Sequence, residues 1–174
     1  NYTTSKSWTL PEGDGGKTVY VQFKNNATLI CNCSGAIVLD TTPPTGSIII
    51  AGAAEYTNSS SVTLTVSASD ITSNVAQMCF SNDNATWTNW EAYAISKAWI
   101  LTGDDGVKNV YVKFMDVAGV VSQSLPDSII LDTVPPSIAL TATLNNGTEI
   151  KASSYTLTWT SIDNGLGLDH YEVR

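Results

Sequence analysis

At 174 residues and 18.5 kDa the chain has room for one large domain or two of about 90 residues. Hydrophobic residues make up 43% and charged residues 14%, so a core can be buried under a neutral polar surface rich in Ser, Thr, Asn and Gly, the palette of secreted β-proteins rather than of helices. A net charge of −8 and a pI near 4.3 set nucleic-acid binding aside and suit an extracellular surface or loops that hold a hard cation, and no apolar run nears the roughly 20 residues needed to cross a bilayer.

In chain order, Asn1–Leu10 lacks the basic head and apolar stretch of a signal peptide, and no initiator Met is present, so the chain reads as a processed product or an excerpt. GSIIIAG predicts a first strand over Ser47–Ile50, and YTNSSS a polar turn. SVTLTVSASD alternates, Val62, Leu64 and Val66 to one face and Thr63, Thr65 and Ser67 to the other, which is the period of a half-buried strand. VAQMCFS alternates again, SNDNATWTNWE reads as a turn with a short strand, and KAWIL as a strand ending at Leu101. TGDDGVK predicts a hairpin turn with Asp-Gly supplying positive φ. NVYVKF follows as a strand, DVAGV as a turn, and SIILD as the closing strand. Seven or so strands with turns every eight to twelve residues predict a β-sandwich, with no amphipathic helix.

The chain also repeats itself. SKSWTLPEGDGGKTVYVQF at Ser5–Phe23 lies over SKAWILTGDDGVKNVYVKF at Ser96–Phe114, with an offset of 91 between Trp8 and Trp99. LDTTPP at Leu39–Pro44 returns as LDTVPP at Leu131–Pro136, with an offset of 92 between Asp40 and Asp132. SVTLTVSASD lies over SYTLTWTSID, with an offset of 93 between Asp70 and Asp163, and VAQMCF over LDHYEV. The predicted architecture is therefore all-β: tandem immunoglobulin-like sandwiches of about 92 residues joined by short Pro-Pro linkers. Residues 1–41 match the back half of a module, 42–133 a complete module and 134–174 the front half of another. A half sandwich exposes an apolar face and open strand edges, so the missing halves are expected from a longer tandem chain or from neighbouring subunits. The paired prolines lack N–H groups and favour a stiff extended step between modules.

The order W-x-L, GDG-x-K-x-V-Y-V-x-F-x-D-x-A-G, LDTTPP and SASD, with a closing DHYEVR, resembles the tandem immunoglobulin-like and fibronectin type III-like modules of bacterial and archaeal surface proteins. The resemblance covers essentially the whole chain. It implies an extracellular or cell-surface location and a structural role, as a repeat segment of a filament or stalk whose partners are neighbouring identical modules. In the first half-module KNNATLIC replaces the MDVAGV-like turn, which leaves a role for Asp116 without a counterpart there. The alternatives are a glycan-binding adhesin, a wall-anchoring module and an accessory domain of a secreted hydrolase.

Candidate sites are few. Catalysis finds no support: His170 is the sole histidine and falls on a predicted strand, and no G-x-S-x-G elbow or phosphate loop is present. No cofactor is expected, with calcium the one candidate. Gly13–Gly16 and Gly103–Gly106 are acidic, Gly-rich loops for which a turn is the plainer reading. At the junctions, Asp40 or Asp132 could meet Asp70, Asp116 or Asp163 across the sheet ends to hold calcium, against the simpler role of capping the linker's donors. Trp87, Trp90 and Tyr93 could form a glycan platform, against core packing. Asn1, Asn26, Asn32, Asn58, Asn84 and Asn146 are acceptors for attached glycans, with Asn58, Asn84 and Asn146 best placed in turns. Cys31, Cys33 and Cys79 are read first as small buried hydrophobes, then as a bridge between Cys79 and one of the other two or to another chain, and last as metal ligands.

Overall fold

The computed structural model describes residues 3–140, 159–163, 167 and 170–172. Twelve strands are assigned among them: β1 (Gly15–Lys24), β2 (Ile30–Leu39), β3 (Thr45–Ile50), β4 (Tyr56–Thr57), β5 (Ser61–Ser69), β6 (Val75–Ser81), β7 (Glu91–Ala92), β8 (Ser96–Ile100), β9 (Gly106–Asp116), β10 (Leu125–Leu131), β11 (Ser137–Leu140) and β12 (Trp159–Ile162). Helical structure among the described residues is a single 3-10 turn at Ala51–Ala53.

Strands β3 to β10 form an immunoglobulin-like sandwich. One sheet has the order β3-β5-β8 and the other β4-β10-β9-β6-β7. The alternating sequences decide what lies between them. Val62, Leu64 and Val66 of β5 face Val110, Val112 and Phe114 of β9, joined by Ile48 and Ile50 of β3, Met78 and Phe80 of β6 and Ile129 of β10 in one buried cluster. The intervening Thr and Ser residues of β5 are exposed. Tyr93 meets Phe114 edge-on at 6.1 Å and Trp99 leans on Phe80 at 5.6 Å, which closes the sides of the core.

At Gly46 a β-carbon would lie 2.3 Å from the Ser67 carbonyl oxygen and 2.7 Å from the Phe114 ring, so only glycine lets β3 approach β5 this closely. Asp127 of β10 accepts a 2.8 Å hydrogen bond from the Ile50 amide and so ties the end of β3 to the opposite sheet.

The all-β sandwich agrees with the sequence pattern, and four local expectations are corrected. First, β3 begins at Thr45 rather than Ser47, because Thr45 and Gly46 pair with Ser69 and Ala68 through backbone that carries no hydrophobic signal. Second, YTNSSS is not all turn: Tyr56 and Thr57 run parallel to Ile130 and Leu131. Third, TGDDGVK is not a hairpin. β8 pairs with β5 whereas β9 pairs with β6 and β10, so this loop crosses from one sheet to the other. Its positive φ values belong to Gly103 and Gly106, not to the aspartates. Fourth, in β6 Met78, Cys79, Phe80 and Ser81 are buried in succession and not in alternation, because β6 is an inner strand of its sheet, flanked by β9 and β7. Near the chain's end, His170 is exposed and lies outside any strand.

The flanking strand pairs keep the registers of their counterparts. β1 pairs with β2 from Gly15↔Leu39, as β9 pairs with β10 from Gly106↔Leu131. β11 pairs with β12 from Ser137↔Ile162, as β3 pairs with β5 from Thr45↔Ser69. Among the described residues each of these pairs is a separate two-stranded sheet.

Candidate functional site at the linker

The chain between β2 and β3 is Asp40–Pro44, and three groups of hydrogen bonds hold it. Asp14, in the loop before β1, accepts at Oδ1 from the Thr41 amide (2.9 Å) and the Thr41 hydroxyl (2.7 Å), and at Oδ2 from the Thr42 hydroxyl. Asp40 Oδ1 accepts from the Thr42 amide at 3.2 Å. The following linker repeats this plan. Asp105 accepts from the Thr133 amide (2.8 Å) and hydroxyl (2.9 Å), and Asp132 Oδ1 accepts from the Val134 amide at 3.2 Å. Lys17 and Lys108 each donate to a carbonyl of their own loop, Glu12 and Asp104 respectively.

The acidic Gly-rich loops are therefore linker clamps. Their glycines turn the backbone, and one aspartate from each loop holds the linker. Donors at each linker lower the carboxyl pKa values: the Thr42 and Thr41 hydroxyls lead for Asp14, and the Thr133 amide leads for Asp105.

The junction also gathers carboxylates. Asp40 from the linker, Asp70 from the end of β5 and Asp116 from the end of β9 each bring an oxygen within 4.8 Å of the other two. All three are fixed through Oδ1 alone. Asp40 Oδ1 takes the Thr42 amide, Asp70 Oδ1 takes the Thr72 and Ser73 amides (both 2.8 Å), and Asp116 Oδ1 takes the Val120 amide (2.9 Å). The three Oδ2 atoms are buried with no hydrogen-bond partner, as is Ser73 Oγ. Asp116 is 2% exposed and Asp40 9%. Ionised carboxylates at this spacing repel by at least about 3 kcal/mol per pair at an effective dielectric near 20. At the second linker, Asp132 and Asp163 line one recess together with Pro135, Pro136 and Gly167.

Of the calcium candidates named from sequence, Asp40 and Asp116 thus converge, joined by Asp70, while Asp132 lies at the next linker beside Asp163. The clamping role of Asp14 and Asp105 was not read from the sequence, although their recurrence at an offset of 91 is the signal that points to it.

The remaining candidates are dispersed. Trp87 lies under the Lys113 ammonium at 4.2 Å, Tyr93 packs against Phe114 and accepts the Ala68 amide on its hydroxyl, and Trp90 is partly exposed. Asn58, Asn84, Asn26 and Asn32 are exposed, whereas Asn1 and Asn146 lie outside the described residues. The side-chain oxygen of Asn84 accepts the Ser124 hydroxyl at 2.6 Å, and the turn that contains Asn84 is organised by Asp83, whose carboxyl the Thr86 and Ala85 amides hold far below the usual range. Cys31, Cys33 and Cys79 are free thiols, and the reading as small buried hydrophobes holds for Cys79 alone: Cys31 and Cys33 lie on β2, which is exposed along nearly its whole length. Burial pushes the Cys79 thiol up.

Sandwich and joint together define an immunoglobulin-like β-module held to its linker by aspartates. No family model matches the chain, and none of the curated proteins does. Among solved structures it is similar to the PKD1 domain of Vibrio anguillarum Epp, at 13% identity and a TM-score of 0.41, over 55% of this chain and 100% of that one. The immunoglobulin-like assignment itself rests on strand order and register. No helix among the described residues is long and apolar enough to cross a membrane.

Proposed function

We propose that this chain is a spacer segment of an extracellular filament or stalk, built from sandwiches of about 92 residues in series, whose work is mechanical. The observation that carries this reading is the repeated joint. At both linkers the loop aspartate, Asp14 or Asp105, binds the amide and hydroxyl of the threonine that follows the Leu-Asp pair. A flexible tether needs no such bonds, and a joint that must keep its angle under load does. The exposed apolar residues of β1 and β2, Val21, Phe23 and Ile37 among them, suit a hairpin covered by the front half of a neighbouring module. The neighbour belongs to the same longer chain or to an adjacent subunit.

Small-angle scattering on chains lengthened by whole repeats tests the reading. Each added repeat should extend the maximum dimension by about 40 Å, the length of a sandwich of seven-residue strands with its loops. Particles that grow in girth and not in length would overturn it.

A further inference from the structure

We propose that Asp40, Asp70 and Asp116 form a calcium site that locks the linker onto the sandwich. The inference stands on the carboxylate geometry and not on the stalk reading. Calcium takes six to eight oxygen ligands at about 2.3–2.6 Å, so two oxygens bound to one ion lie at most roughly 5.2 Å apart. The three carboxylates meet that limit pairwise.

Two further observations point to a ligand rather than to a chance acidic cluster. Each carboxylate uses Oδ1 for local backbone donors and leaves Oδ2 buried and unpartnered, and Asp116 is 2% exposed. Buried polar atoms in folded proteins almost always find a partner, so an unpartnered oxygen on each of three converging carboxylates calls for a cation. The repeat also separates the needs of the turn from those of the site. Asn25 stands where Asp116 stands, at an offset of 91, and accepts the Leu29 amide at 2.9 Å as Asp116 accepts the Val120 amide at 2.9 Å. An amide oxygen thus serves this turn equally well, and the negative charge at 116 is surplus to it.

The ligand type follows from the donors. Three carboxylates with no imidazole or thiolate favour a hard cation. Calcium tolerates an irregular shell completed by water and by neutral oxygens, whereas magnesium demands octahedral geometry and sheds water reluctantly. The ion would join one residue of the linker to one strand end from each sheet, so binding restrains the joint against both layers at once.

The test is calcium titration of the chelator-treated 174-residue chain by calorimetry, with thermal melts in calcium, in magnesium and in EDTA. Expected are a dissociation constant below about 1 mM, the range of extracellular modules, a melting temperature raised by calcium more than by magnesium, and an affinity at least tenfold weaker in Asp116→Asn. Because asparagine keeps the turn and removes repulsion, Asp116→Asn should melt in EDTA at or above the wild-type temperature while losing the calcium increment. Asp40→Asn should lose the increment likewise. A wild-type chain with no heat and no shift at 5 mM calcium overturns the proposal, as does an Asp116→Asn chain with the full calcium response.

Discussion

Phe114 and Phe23 occupy the same place in the repeat, 91 residues apart, yet one is fully buried and the other 46% exposed. Replacing Phe114 by Ala removes a ring that lies between the sheets, touches the close approach at Gly46 and meets Tyr93 at 6.1 Å. A Phe→Ala change at such a site costs about 3–5 kcal/mol, the lost transfer energy plus the cavity left behind. At Phe23 about half of the side chain is already in water and no closed cavity forms. The cost there is about 1–2 kcal/mol, confined to the β1–β2 hairpin, which is a sheet of its own. Urea unfolding of the dilute chain, followed by tryptophan fluorescence with Trp99 as reporter of the sandwich, separates the two. With a slope of about 2 kcal/mol per molar urea, Phe114→Ala should lower the midpoint by roughly 2 M, and Phe23→Ala should leave the transition of the sandwich within error of wild type. Equal losses from the two variants would refute the reasoning, because they would place Phe23 in a core as closed as that of Phe114.

Three other outcomes are expected. Gly46→Ala should destabilise the sandwich by about 2 kcal/mol or more, since the Ser67 carbonyl cannot move without breaking the β3–β5 ladder; an unchanged melting temperature would contradict the close approach. The carboxyls of Asp14 and Asp105 titrate lower folded than unfolded, so their contribution is complete above the unfolded value of about 3.9 and is lost as pH falls through the lower folded value. The Thr41 and Thr133 amide resonances should hold their positions from pH 7 down to about 4 and shift only below it, and a midpoint at or above the unfolded value would count against the clamps. Maleimide should label Cys31 and Cys33 within minutes and reach Cys79 only on unfolding, because Cys79 is buried and its thiol pKa is raised; equally rapid labelling of all three would show an open sheet.

Much of the architecture was legible in the amino-acid order. The period of two in SVTLTVSAS and NVYVKF names the residues that face the core, because side chains on a strand alternate by geometry alone. Self-similarity at offsets of 91 to 93 aligned β1 with β9 and β12 with β5 before any pairing was known, and the registers agree with that alignment.

Partnership was not legible. Alternation says which way a residue points and is silent on which sheet a strand joins, so the crossing at Gly103–Gly106 read as a hairpin. The two-residue strand Tyr56–Thr57 pairs through backbone amides and carbonyls, which every residue carries, and left no mark in composition. The joint shows the same division. Sequence alone established that aspartates recur at 14 and 105 and at 40 and 132, and that 70 and 116 end alternating runs. Only the packing of two sheets on one linker decided that Asp14 and Asp105 bind threonines, and that Asp40, Asp70 and Asp116 bring carboxylate oxygens within 4.8 Å of one another while each leaves Oδ2 buried and unpartnered. Residues 30 and 46 positions apart meet only when the strands between them are laid side by side, and local chemistry holds no record of that distance.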